Sequence, residues 1–223
     1  MAAAITSSAL RLTSFGHSCL LVEIPTATRT ARVLLDPGNL SAPLDGLGDL
    51  DAVLITHGHP DHLDPEQIAR LQAAGPVRIL GPEGIAGQLT DLDVDLEVAE
   101  AGTLDIGGVT VRVGAAPHET IYPGIPLPEN LTFEIAGLFA PGDSLKTPST
   151  DVDVLLAPTG APWLKLSETI TFLRDVGPRI VVPVHDAGLA PAHQGLHRAL
   201  MTKFAPDGSE VRVPVAGEAL ALD

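Results

Sequence analysis

The chain has a single cysteine, Cys19, so a disulfide within it is excluded. Aromatic residues make up only 3%, which leaves Val, Leu, Ile and Ala to fill a core. Basic residues are also few: 13 Lys and Arg stand against 28 Asp and Glu, a net charge of −15. A field of that sign repels polyanions, which argues against long nucleic acid or an anionic membrane as partner. A small anionic substrate stays allowed, because bound divalent metals reverse the sign locally. No apolar run reaches the roughly 18 residues of a membrane-spanning helix. Met1 to Leu10 lacks the basic start and apolar stretch of a signal peptide, so the expected location is the cytoplasm.

What is present is an ordinary globular share of apolar residues, 45%, punctuated by 22 Gly and 20 Pro. That punctuation suits many short elements joined by tight turns. Strands are expected at Leu10–Phe15, Ser18–Ile24, Ala31–Leu35, Ala52–Thr56 and Val77–Leu80, where Val, Leu and Ile lie between Gly, Pro and Asp. Gly107-Gly108 and Ala136-Gly137 mark two hairpins, and Val152–Ala157 and Ile180–Val184 have the apolar run of buried strands. Glu210–Val213 is the last expected strand. Helices are expected at Pro65–Ala74, as a short helix over Pro82–Leu89, from Ser167 (as cap) to Val176, and at Pro191–Phe204. No repeat or linker divides the chain, so residues 1–223 are expected to form one domain. A strand-rich half followed by strand–helix alternation predicts an α/β (α+β) fold of two packed sheets with helices outside.

The chemistry concentrates in Thr56-His57-Gly58-His59-Pro60-Asp61-His62, directly behind the apolar strand Ala52–Ile55. His-x-His-x-Asp-His arises by chance in roughly one chain in a thousand of this composition. Imidazole and carboxylate are the usual zinc ligands where thiolates are absent. In an extended loop His57 and His59 point the same way, while Asp61 and His62 lie past the turn at Pro60. One loop can therefore serve two adjacent metals, and two such metals can share a hydroxide.

With this motif the chain resembles the metallo-β-lactamase superfamily, most closely the small metal-dependent hydrolases similar to ascorbate-6-phosphate lactonase. The likeness runs from Gly16-His17-Ser18 to Pro183-Val184-His185. It implies a four-layer αββα sandwich and a hydroxide bridged between two divalent metals. The resemblance places His57, His59 and His118 at one metal and Asp61, His62 and His185 at the other. Asp143, in Pro141-Gly142-Asp143-Ser144, would bridge them. Asp36 would be a carboxylate that orients a liganding His, and His17 would line the pocket. Asp61 would also be catalytic, holding the hydroxide. Zinc fits these ligands, although manganese and iron bind similar sites.

The expected reaction is hydrolysis of a small-molecule ester, lactone or similar acyl bond. The alternatives are a phosphodiesterase acting on a small nucleotide and a binding protein that keeps its metals without turnover. Lys146 and Lys165 are the candidate cations for a phosphate. Trp163 is expected at the pocket wall, Cys19 as buried filler, and His193 and His197 on a solvated helix face. The segment Glu119–Asn130, rich in Pro and Gly, reads as a loop over the site. Homo-oligomer formation is left open by the sequence.

Overall fold

The computed structural model describes residues 10–222. The expected absence of a signal peptide falls mostly on residues outside that range. Fourteen strands form two seven-stranded sheets among the described residues. The first sheet has the order β14-β1-β2-β3-β4-β5-β6, and the second β13-β12-β11-β10-β9-β8-β7. In the first, β1 (Arg11–Gly16), β2 (Cys19–Pro25) and β3 (Thr30–Leu35) run antiparallel. Then β4 (Ala52–Leu54), β5 (Ile79–Gly81) and β6 (Leu96–Val98) continue in parallel. The second sheet starts with the meander β7 (Gly102–Ile106), β8 (Val109–Ala115), β9 (Leu131–Ile135) and β10 (Leu138–Ala140). It continues in parallel through β11 (Val154–Pro158), β12 (Ile180–Val184) and β13 (Glu210–Val211). β14 (Ala219–Ala221) returns to pair with β1.

Strand alternation separates three apolar layers. Val33 and Leu35 of β3 face the second sheet, where they join Val111, Phe133, Leu156 and Val182. Leu34, between them in sequence, faces outward with Val53 and Ile55. There it meets Ile68 and Leu71 of helix α1 (Pro65–Ala74), Ile85 of the 3-10 segment Glu83–Gln88, and Leu89 just after it. On the far side Leu155, Ala157 and Val181 pack against Phe172 and Leu173 of α2 (Leu166–Val176) and Met201 of α3 (Pro191–Phe204). The result is the expected αββα sandwich. No helix among the described residues is long and apolar enough to cross a membrane.

Two local expectations are corrected. Helix α2 begins at Leu166, with Lys165 rather than Ser167 at its N-cap. The Lys165 N–H donates to Glu168 Oε2 at 2.8 Å, so the glutamate caps the helix in place of the serine hydroxyl. The strands β6 and β14, three residues each, lie beyond those expected from the sequence.

Candidate metal centre

The loops that leave β4, β8, β10 and β12 converge at one edge of the sandwich. They carry His57 to His62, His118, Asp143 and His185 respectively. The turn between β1 and β2 brings His17 to the same point, and the end of β3 brings Asp36. Close backbone approach fixes this edge. A Cβ on Gly38 would run into the carbonyl of Asp61, and one on Gly142 (φ +60°) would meet Asn130 Oδ1 and Thr56. Four non-glycine residues among those described have positive φ, and three of them are His17 (53°), Asp36 (42°) and His185 (58°). Such strain persists where the surrounding structure holds it, often at functional sites.

Eight side chains form two groups able to hold a metal ion. His57, His59, His118 and Asp143 make one; His17, Asp61, His62 and His185 make the other. Asp143 lies between the groups. Its Oδ2 is 3.4 Å from His118 Nε2 and 3.9 Å from His57 Nε2. Its Oδ1 is 3.2 Å from His62 Nε2 and 3.3 Å from His185 Nε2. Asp61 Oδ2 is 3.4 Å from His185 Nε2, and His59 Nδ1 is 3.2 Å from His118 Nε2.

The rear of each ring determines which nitrogen faces inward. His62 Nδ1 donates to Asp36 Oδ2 (2.8 Å), His118 Nδ1 to the Glu119 carbonyl (2.6 Å), and His185 Nδ1 to the Gly160 carbonyl (2.7 Å). The Thr56 hydroxyl donates to Asp36 Oδ2 and so accepts from His57 Nδ1 at 3.0 Å. With Nδ1 turned to an acceptor in each, Nε2 is the nitrogen that these four rings present to the site. Asp36 is itself held by the Thr56 N–H at 2.7 Å. A carboxylate that orients a ring in this way raises the basicity of the ring's other nitrogen.

Charge in the metal-free site is divided. Burial holds His57, His59 and His17 below the ordinary imidazole value, reinforced for His57 and His59 by neighbouring imidazoles. Burial opposes a charge on His62 as well, but Asp36 and Asp143 outweigh it and keep the pKa well above normal. His185 is raised to about 9, because the nearby Asp143 and Asp61 carboxylates overcome its burial. Both of these carboxyls, though desolvated, are pulled far below the usual range by the surrounding histidines.

The donor set fits divalent metal. His57 Nε2, His62 Nε2, His185 Nε2 and Asp143 Oδ1 are buried without a hydrogen-bond partner. Each such orphan costs roughly 1–3 kcal/mol, so four aimed at one space imply a ligand that satisfies them.

The pattern of the Beta-lactamase superfamily domain matches residues 11–185. The chain belongs to this superfamily. Protein Rv0786c of Mycobacterium tuberculosis is 37% identical over 202 residues, 87% of this chain and 92% of its own. A UPF0173 metal-dependent hydrolase of Salinibacter ruber is 28% identical, covering 95% and 99% of the two chains. Igni18, a metallo hydrolase of Ignicoccus hospitalis, superposes with a TM-score of 0.72 at 19% identity, over 96% of this chain and 98% of its own. The protein is a metal-dependent hydrolase of the metallo-β-lactamase superfamily.

All seven expected ligands of this superfamily hydrolase are thus gathered at one edge, with Asp36 behind His62. Trp163, expected at the pocket wall, donates its indole N–H to Asp143 Oδ2 at 2.9 Å. Two contributors escape a reading of the sequence. Thr56 links His57 to Asp36, and buried Asn130 accepts the Asp143 N–H while donating to the Pro141 carbonyl. A hydroxyl next to the first motif histidine is a usable signal for Thr56. Nothing local marks Asn130. Cys19 is buried, as expected. His197 departs from the solvated face, since its Nδ1 donates to the Thr159 carbonyl at 2.9 Å, whereas His193 is exposed. Lys146 turns away to the Ala115 carbonyl, and exposed Lys165 sits at the start of α2. In the segment 119–130, Tyr122, Ile125 and Leu127 are exposed, and Glu119 Oε1 accepts the Leu145 N–H.

Proposed function

We propose that this hydrolase cleaves an ester, lactone or similar acyl bond in a small neutral molecule, using two zinc ions. His57, His59, His118 and Asp143 would hold one ion, and Asp61, His62, His185 and Asp143 the other. The chemistry such a pair supplies when bound is an acidified water and an electrophile for the oxygen of the scissile group. Asp143, with one oxygen toward each group, would help hold both ions. Asp61 stays ionised and accepts a hydrogen bond from the attacking water, which aims it. The same carboxylate can carry that proton at Oδ1 to the departing oxygen.

The observation that carries the substrate class is the cleft beside Asp61 and His185. It has a volume of about 270 Å³, and its walls include Leu40, Ala161, Pro162 and Leu189. No Lys or Arg lines it. A phosphodiester brings a charge that is usually met by Arg or Lys as well as metal. An uncharged acyl group needs no such partner, and the overall −15 opposes anions in general. The test is a panel of neutral lactones and esters against phosphodiesters with matched leaving groups, on zinc-loaded protein. The expected kcat/KM favours the neutral acyl compounds by at least ~10²-fold. Asp61→Asn should lose most of that turnover with metal content measured in the same sample. A preference for the phosphodiesters would overturn the assignment.

A further inference from the structure

By distance alone His17 is a ligand. It is buried, and its ring lies within the same small group as Asp61, His62 and His185. Its hydrogen bonds indicate the reverse. His17 Nδ1 faces the backbone N–H of Ala187 at 3.3 Å. An amide N–H can only donate, so Nδ1 holds a lone pair and the proton of the neutral ring is on Nε2. That Nε2–H is 3.1 Å from Asp61 Oδ2. The four rings that turn Nε2 inward, His57, His62, His118 and His185, all have Nδ1 against an oxygen acceptor instead. His17 is therefore wired oppositely: its Nδ1 accepts where theirs donate, so in the neutral ring its Nε2 bears the proton and theirs is the nitrogen that can bind a cation.

We infer that His17 is a positioning residue that holds Asp61 through its Nε2 proton and does not ligate the ion beside it. The inference rests on the reading of Asp61, His62 and His185 as a metal site. The backbone of the same residue extends the role, because its carbonyl accepts the His185 N–H at 3.0 Å. The two rings also pack with centroids 3.9 Å apart. The strained turn at His17 thus secures a carboxylate by its side chain and the His185 turn by its main chain. With Oδ2 tethered, Asp61 has one orientation toward the site rather than a free rotor.

The test needs no substrate. Imidazole nitrogen NMR on the full chain, metal-free and zinc-loaded, reads the protonation state of each ring. His17 should show a protonated Nε2 in both forms, while His57, His62, His118 and His185 should each show a zinc-bound Nε2 after loading. Two variants separate donor from ligand. His17→Gln keeps an N–H near the position of Nε2, and His17→Phe keeps the ring without a donor. Affinity for the second zinc should stay within about threefold in the Gln variant and fall 10–100-fold in the Phe variant, with the first zinc unchanged. A zinc-bound Nε2 on His17, equal losses in the two variants, or wild-type affinity in the Phe variant would each overturn the inference. If the Phe variant does not fold, the ring signals of the wild-type protein still decide it. Binding of only one zinc to the wild-type chain would instead count against the two-ion reading, which keeps the two failures distinct.

Discussion

At the scale of single residues, the site is a set of paired choices about protons. Asp36 and Thr56 fix the rear of His62 and His57, and carbonyls fix His118 and His185. These contacts explain why the metal-free site is divided into raised and lowered histidines, and the division predicts a pH profile. His62 and His185, raised well above normal and to about 9, stabilise the fold fully below the unfolded value and lose that contribution as pH climbs. His17, His57 and His59 are depressed, so the unfolded chain binds more protons than the fold once pH drops below the ordinary imidazole value. The site's contribution to stability of the metal-free protein should therefore peak near pH ~6.5 and decline on both sides. Urea denaturation of chelator-treated protein across pH 5–9, against a His62→Gln/His185→Gln variant, isolates the share of these two histidines, which should fall as pH rises. A difference between the two that rises monotonically with pH would contradict the assignment of charge. Calorimetry in two buffers at pH ~7.5 should also show release of about two protons per chain on zinc loading.

At the scale of elements, the turns carry the placement. Gly142 precedes Asp143 in the left-handed region and leaves no room for a Cβ beside Asn130 and Thr56. Gly142→Ala should cost roughly 1–3 kcal/mol of stability, read by urea denaturation, and lower metal content because Asp143 is displaced. Wild-type stability and metal content would show that this turn does not set the Asp143 position. The elements also show where sequence is legible. The motif histidines are readable because three imidazoles and a carboxylate follow one apolar strand within a few residues. Hairpins at Gly107-Gly108 and Ala136-Gly137 are readable because these turns demand positive φ, which all four residues have. The strands β6 and β14 are not readable. Leu96–Val98 and Ala219–Ala221 are three residues long, and their pairing partners, not their local pattern, make them strands. The Lys165–Glu168 cap likewise depends on a side-chain bond that competes with the Ser167 hydroxyl expected from the sequence.

At the scale of the whole molecule, the sandwich exists to bring four distant loops to one edge. The shared core between the sheets sets their spacing, and the outer helices cover the remaining apolar faces. Long-range contacts such as His57 to Asp143 follow from that packing and are invisible to local pattern; only the superfamily resemblance links them in the sequence. A site with buried, unpartnered donors gains stability from any ion that binds the fold and not the unfolded chain. The most direct test of the account is the metal stoichiometry of the zinc-replete chain, by native mass spectrometry with elemental analysis, for wild type and His185→Ala. The account predicts two ions per wild-type chain and one in the variant, with the site of His57, His59 and His118 still filled. A single ion in replete wild-type protein, or loss of both ions together in a folded variant, would contradict it.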